Sequence, residues 1–205
     1  MPLTNVSEIN NDWGICGFAS SIAALYQHGG AVGGVVDTTS VNQLKVRLLA
    51  EIKSFLVTLQ ANGNITMLNG IRDFTRSFAP NTGHAWATFT IEEYINRINT
   101  ACRGGTVNGT DFSMAMTPLA VVEYLKLNGG MIGTRLTGTE YIANNVILGV
   151  GKLNTSSPHN GVLHWIYKKS DSEVYNWGEK KTLAETLKDV SQAGCPDLVC
   201  QIVCA

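Results

Sequence analysis

Hydrophobic residues in the first 130 positions recur at the three- and four-residue spacing of amphipathic helices. The glycine pairs at positions 29–30 and 129–130 end two of these apolar runs, because glycine is favoured where a helix terminates. The pattern predicts helices over residues 16–27, 40–59, 67–78, 90–101 and 117–129.

Two of these helices begin with the sequence of a capping box. Ser40 stands three positions before Gln43, and Thr90 stands three positions before Glu93. In a capping box the hydroxyl of the first residue accepts from the backbone N–H of the residue three positions later. The longer side chain of that later residue accepts in turn from the backbone N–H of the first. These pairs therefore set the predicted starts of the second and fourth helices.

Beyond residue 130 the apolar runs shorten and alternate with polar residues, as in half-buried strands. A chain of 205 residues suits one compact domain. We expect an α+β fold in a single domain over 1–205, with a mainly helical lobe over 1–130 packed on an antiparallel, mainly β lobe over 131–205. Strands are predicted over 131–136, 146–153, 161–167, 173–177 and 198–203, and a short helix over 182–190.

The composition is that of a globular chain with little charge. Hydrophobic residues make up 44% and charged residues 15% of the sequence, the reverse of the balance that keeps a chain disordered. Fifteen basic and sixteen acidic residues leave a net charge of -1 without a lysine or arginine run, which argues against nucleic acid as a partner. No apolar stretch approaches the roughly 20 residues of a membrane span, so no membrane partner is expected.

Residues 1–13 carry neither the basic nor the apolar segment of a cleavable signal peptide. The expected location is therefore the cytoplasm, or outside the cell by a route that uses no Sec signal, which includes delivery into a host cell.

Five cysteines stand at positions 16, 102, 195, 200 and 204, an odd and uneven set that does not resemble a disulfide framework. The three at the end have neither the CxxC spacing nor the nearby histidines of a zinc site, so no metal and no cofactor is expected. We predict that Cys200 and Cys204 are free thiols on a buried final strand. A disulfide within the tail is the alternative.

Cys16 is the first candidate for chemistry, because it falls where a glycine-containing turn becomes a helix. The positive end of a helix dipole stabilises a thiolate and lowers a thiol pKa that starts near ~8.5. The free N–H groups of the first turn can also hold an oxyanion. A cysteine in this position can equally serve packing alone, so this local context leaves both interpretations open.

A predicted hairpin in the second half supplies the partners of a nucleophile. With a loop over residues 169–171, strand pairing places His164 directly opposite Asn176. An amide oxygen there can accept from one imidazole nitrogen and leave the other to face a thiol. The alternative for His164 is a half-buried histidine with no chemical role.

With these residues the sequence resembles the papain-like cysteine peptidases, whose marks are C-G-[SA]-C-[WY] around the nucleophile and N-S-W-G at the asparagine. The stretch over 14–20, GICGFAS, keeps the glycine two positions before the cysteine, and 176–178, NWG, keeps the second motif with one residue fewer. His164 and Asn176 follow Cys16 by 148 and 160 positions.

The resemblance implies a papain-like fold with a triad in which Cys16 attacks, His164 is the base and Asn176 orients the base. In the family, an asparagine or glutamine six positions before the cysteine donates to the oxyanion hole. That position is Asn10, with Asn11 as the alternate.

The family also has a tryptophan that shields the His–Asn bond, and this would be Trp177. The sequence departs from the family at Trp13, where secreted members have a disulfide cysteine, and at Gly17, where they have an aromatic residue. These departures point to the divergent bacterial or viral members.

The expected activity is that of a cysteine protease, which hydrolyses peptide bonds through a thioester acyl-enzyme, with a protein or peptide as substrate. The same machinery would serve a glutamine deamidase or transglutaminase-like effector, or a peptidoglycan amidase. An alternative from a different class is a catalytically inactive papain-like module that binds a partner.

Overall fold

The computed structural model describes residues 5–6, 9, 13–30, 32, 40–78, 88–102, 112–129 and 142–204, together with the backbone of 133–137. Helices in this part of the chain are α1 Cys16–Gln27, α2 Val41–Ala61, α3 Ile65–Ser77, α4 Ile91–Cys102, α5 Pro118–Gly129 and α6 Leu183–Gln192. Strands are β1 Gly133–Thr137, β2 Val146–Gly151, β3 Val162–Ser170, β4 Glu173–Asn176, β5 Glu179–Lys181 and β6 Asp197–Cys204. The α+β class and the antiparallel sheet are thus confirmed.

Capping and apolar spacing account for the helices of the first half. The Ser40 hydroxyl accepts from the Gln43 backbone N–H at the start of α2. At the start of α4, the Thr90 and Glu93 side chains each accept from the other's backbone N–H. The inner face of α2 is buried at the apolar positions that the spacing predicts: Leu44, Leu48, Leu49, Ile52, Phe55, Leu56 and Leu59.

The six described strands form one sheet in the order β1-β6-β2-β3-β4-β5, and every pair is antiparallel. The last strand in the chain, β6, therefore lies inside the sheet between β1 and β2. The short strand β5 has no predicted counterpart, because its sequence, EKK, lacks an apolar face.

Apolar side chains cover both faces of the sheet. One face, which includes Trp165 and Tyr167, joins the main core with Phe18 and Ile22 of α1. The opposite face forms a second cluster in which Ile166 packs with residues of α6. The main core therefore contains residues from both the helical and the β half, and α1 lies directly against the sheet.

The tail pairs with the sheet as predicted. Val199 and Ile202 are buried in β6, and Cys200 and Cys204 are buried free thiols. Cys195 is also a free thiol. The prediction of free thiols is confirmed, and the alternative of a tail disulfide is excluded.

Candidate active site

Cys16 is the first residue of α1, and the residue before it, Ile15, forms no side-chain cap. The backbone N–H groups of Cys16, Gly17 and Trp165 instead donate toward the Cys16 sulfur. Two of these donors belong to the first turn of α1, whose N–H groups have no partner within the helix. The third belongs to β3, so the sulfur lies where the helix meets the sheet.

Two glycines allow a neighbouring segment to lie against the start of α1. A side chain on Gly14 would place its Cβ 2.2 Å from the Ser113 hydroxyl, and one on Gly17 would place its Cβ 2.6 Å from the Met116 Cβ. The Met114 N–H donates to the Gly14 carbonyl over 3.0 Å, which holds the segment in place. Position 17 therefore has no room for a side chain, because Met116 takes up that space.

Trp165 joins this segment to the sheet. Its ring N–H donates to the Met116 carbonyl over 3.0 Å, and its ring crosses β2 where Gly149 carries no side chain. A Cβ at Gly149 would lie 3.0 Å from that ring. The backbone N–H that Trp165 directs at Cys16 is thereby held at a fixed position.

His164 and Asn176 are brought together as predicted. Nε2 of His164 lies 2.7 Å from Oδ1 of Asn176, and both side chains are buried. Because an amide oxygen only accepts, Nε2 carries the proton of the neutral ring and Nδ1 is left as an acceptor. This tautomer is the one a base needs to take a proton from a thiol.

The predicted hairpin register is wrong by two positions. Tyr167 pairs with Tyr175 and Ser170 pairs with Glu173, so the turn consists of residues 171–172 rather than 169–171. Asn176 is therefore a diagonal rather than a direct neighbour of His164, and it ends β4. Diagonal partners on one face remain within reach of longer side chains, which is why the hydrogen bond still forms.

Trp177 lies on the imidazole, as the resemblance implies. Its ring stacks on the ring of His164 with centroids 4.9 Å apart and planes 23° apart. Trp177 and Gly178 link β4 to β5 with φ values of 45° and 80°. A two-residue turn with positive φ at both positions is unusual for tryptophan and costs backbone energy. That conformation is what sets the indole over His164.

Burial sets the protonation of the pair. It raises the pKa of Cys16 to about 11, although the three backbone N–H groups at the sulfur lower it. Burial likewise lowers the pKa of His164 to about 4, against a smaller rise from the bond to Asn176. The expectation that the helix start lowers the pKa of Cys16 is therefore wrong, because desolvation outweighs the dipole. The resting site holds a neutral thiol and a neutral imidazole.

Cys16 and His164 line the same cleft, whose volume is about 230 Å³. Trp165 and Trp177 form its sheet side, and Phe74 of α3 and Phe78, directly after α3, are on the helical side. The remaining lining residues are Gly14, Ser113, Ala115 and Leu163. The predicted nucleophile and the predicted base therefore open onto the same cleft.

The two candidates for the oxyanion hole, Asn10 and Asn11, lie outside the described residues. The sequence did not indicate the roles of Trp165 and of the segment around Met116. A strand N–H aimed at a sulfur leaves no mark in a sequence, since every non-proline residue has one. The sequence shows Gly17 and Gly149, but a glycine in a sequence does not indicate which side chain packs against it in the fold.

Among the described residues, no group of three or more histidine, cysteine or acidic side chains could hold a metal ion. None of the described helices has both the length and the apolar character needed to cross a bilayer. Comparison with protein-family models, with curated proteins and with solved structures finds no match to this chain.

Proposed function

We propose that this chain is a papain-like cysteine protease, in which Cys16 is the nucleophile, His164 the base and Asn176 the residue that orients the base. The observation that carries the proposal is the 2.7 Å bond between His164 and Asn176, made in the cleft that holds a thiol at a helix start. A buried structural histidine would also form a hydrogen bond; the catalytic role is favoured here because the free ring nitrogen and the thiol of Cys16 belong to the same cleft.

The neutral resting pair defines how the thiol would be activated. Nδ1 of His164 accepts the thiol proton while the sulfur attacks the carbonyl carbon of an amide, so the charge forms only as the S–C bond forms. The imidazolium then gives this proton to the leaving nitrogen, and the amine departs as the C–N bond breaks. Water, deprotonated by the same ring, attacks the thioester and releases the acid and the thiol.

The oxyanion of the tetrahedral intermediate needs donors beside the sulfur. The backbone N–H groups of Cys16 and Gly17 lie at the start of α1 and are directed at that region. Fixed donors in a site with little water stabilise developing charge at small reorganisation cost. The resemblance adds the side chain of Asn10 to these donors.

The test is to incubate the protein with an unfolded protein substrate and to analyse the products by mass spectrometry. New peptide termini, lost in Cys16→Ser, are the expected result. Cys102→Ser is the matched control, because Cys102 is another partly exposed free thiol. Conversion of glutamine to glutamate without cleavage would identify a deamidase instead, and no covalent change of any kind would support an inactive binding module.

A further inference from the structure

The cleft beside Cys16 continues into a second compartment of about 340 Å³. The two compartments share three lining side chains, Phe74, Phe78 and Leu163, so they adjoin each other, and we call them together the groove. The compartment nearer Cys16 is walled by these apolar groups and by the two tryptophans of the site.

Leu163 marks the part of the groove that a ligand would cover. It exposes 42% of its surface, although its neighbours in β3, Val162 and His164, are buried. An exposed apolar side chain between buried ones gains stability when an apolar partner removes it from water. Together with Phe74 and Phe78, Leu163 therefore favours an apolar ligand side chain in the compartment nearer Cys16.

The outer compartment is different, because Lys152, Asn154 and Ser157 line it together with the shared apolar groups. Lys152 is the only charged residue among the described residues that line either compartment. The carboxylate of Asp197 accepts from the Leu153 backbone N–H over 2.8 Å, and no described carboxylate forms an ion pair with Lys152. The outer end of the groove therefore presents a positive charge.

This outer end is built by a strained turn. His159, Asn160 and Gly161 have φ values of 53°, 58° and 87°. The Lys152 N–H donates to the Gly161 carbonyl and the Asn154 N–H to the Asn160 carbonyl, each over 3.1 Å. Successive left-handed residues are costly and persist where surrounding contacts hold them.

Across the groove, the ring of Phe74 meets the ring of His159 edge-on at 4.6 Å. This contact ties the turn to α3.

We infer that the groove selects substrates with an apolar residue close to the scissile bond and an acidic residue next to it on the outer side, paired with Lys152. This inference rests on the proposed function, since it assigns side chains to the acyl part of a peptide that Cys16 attacks. An acidic group beside an exposed lysine gains attraction that salt weakens.

The test uses three series of peptide chloromethyl ketones, in which a single phenylalanine stands at the first, second or third position from the reactive carbon. In each series, the residue on the N-terminal side of this phenylalanine is Glu, Gln or Lys. Labelling of Cys16 is followed by intact-mass spectrometry, with Cys16→Ser as the blank. We expect the Glu peptide to react about three- to tenfold faster than the Lys peptide at low salt. Lys152→Glu should reverse this order, and high salt should reduce the difference.

The control is Lys188→Glu, which makes the same change of charge on the exposed side of α6 and should keep the wild-type order. Equal labelling by the three peptides, or an equal effect of the two charge reversals, would overturn the acidic preference and leave the proposed function standing. Failure of every peptide to label Cys16 in the folded protein would instead overturn the proposed function.

Discussion

The Asn176 side chain holds the imidazole of His164 by a single hydrogen bond of 2.7 Å. This bond keeps the proton on Nε2, and without it the neutral ring can carry its proton on Nδ1, where it can no longer accept from a thiol. We expect Asn176→Ala to fold normally and to lose roughly 10²-fold in kcat, the smaller end of what a positioned base supplies. Initial rates on any substrate found will measure this loss.

The matched control for this change is Asn96→Ala, which removes an exposed amide on α4 far from the cleft. It should leave the rate unchanged. Full activity in Asn176→Ala would mean that another group orients His164.

The neutral pair predicts an unusual pH profile for kcat/KM. The pair is neutral between the pKa of His164, about 4, and that of Cys16, about 11. We therefore expect activity to rise through an acid limb near pH 4 and to stay level through about pH 9. A site that works as a preformed ion pair would lose activity at about pH 7–9 as its imidazolium lost the proton, and such a limb would contradict the neutral pair.

Iodoacetamide gives a second measurement of the same property, because only a thiolate reacts fast. At pH 6 we expect Cys16 to be alkylated slowly, since its pKa is about 11. Rapid and selective alkylation of Cys16 at pH 6, identified by peptide mapping, would show a resting thiolate.

Trp177 keeps water from one face of His164, so its removal should change the pKa of that ring. Burial is the main cause of the low value of about 4. We expect Trp177→Ala to raise the pKa of His164 toward its ordinary value of 6.5, as followed by NMR of the imidazole C–H protons. Trp177→Phe keeps an aromatic ring over His164 and should shift the pKa less. An unchanged pKa in Trp177→Ala would assign the low value to other neighbours.

Burial of a neutral His164 should also appear in the stability of the fold. Between pH 6.5 and about 4 the unfolded chain binds a proton at this residue that the folded protein does not. The contribution is therefore complete above pH 6.5, and about 3 kcal/mol is lost as the pH falls to about 4. Urea unfolding at several pH values should show that the free energy of unfolding falls less steeply with decreasing pH in His164→Gln than in the wild type.

Gly17 and Gly70 allow a paired test of the packing at the start of α1. Both are helical, but a Cβ at Gly17 would lie 2.6 Å from Met116, whereas one at Gly70 would lie 3.7 Å from its nearest neighbour. Gly17→Ala should lower the free energy of unfolding by about 1–3 kcal/mol because the segment must move. Gly70→Ala should raise it by about 0.5–1 kcal/mol through helix propensity. Denaturant titration of both variants will measure these changes. An unchanged free energy of unfolding in Gly17→Ala would mean that the 112–116 segment can move aside at little cost.

Local rules predicted the parts of the fold that depend on neighbours in the sequence. Helix α1 has the bounds 16–27 that its apolar spacing and the glycine pair indicate. The β3–β4 register was wrong because Ser170 and Glu173 pair around a two-residue turn, and the polar residues there suit turns of either length.

The pKa of Cys16 and the position of Trp177 could not be predicted from the sequence, for a different reason. The pKa of Cys16 depends on how much water the sheet and the 112–116 segment exclude, and this follows from tertiary packing. The position of Trp177 over His164 depends on a backbone conformation that tryptophan rarely adopts. Sequence reasoning named both residues but could not supply these two properties.

The place of β6 between β1 and β2 bears on the order of events during synthesis. Cys16 emerges from the ribosome early, whereas residues 197–204 emerge after both His164 and Asn176 have been made. Until then β2 has no partner on one side and β1 has no described neighbour at all. Because contacts so distant in sequence form slowly, we expect a nascent chain to carry Cys16 and His164 for some time without a finished sheet to hold them. Under the proposed function, activity would therefore begin only once β6 is inserted between β1 and β2.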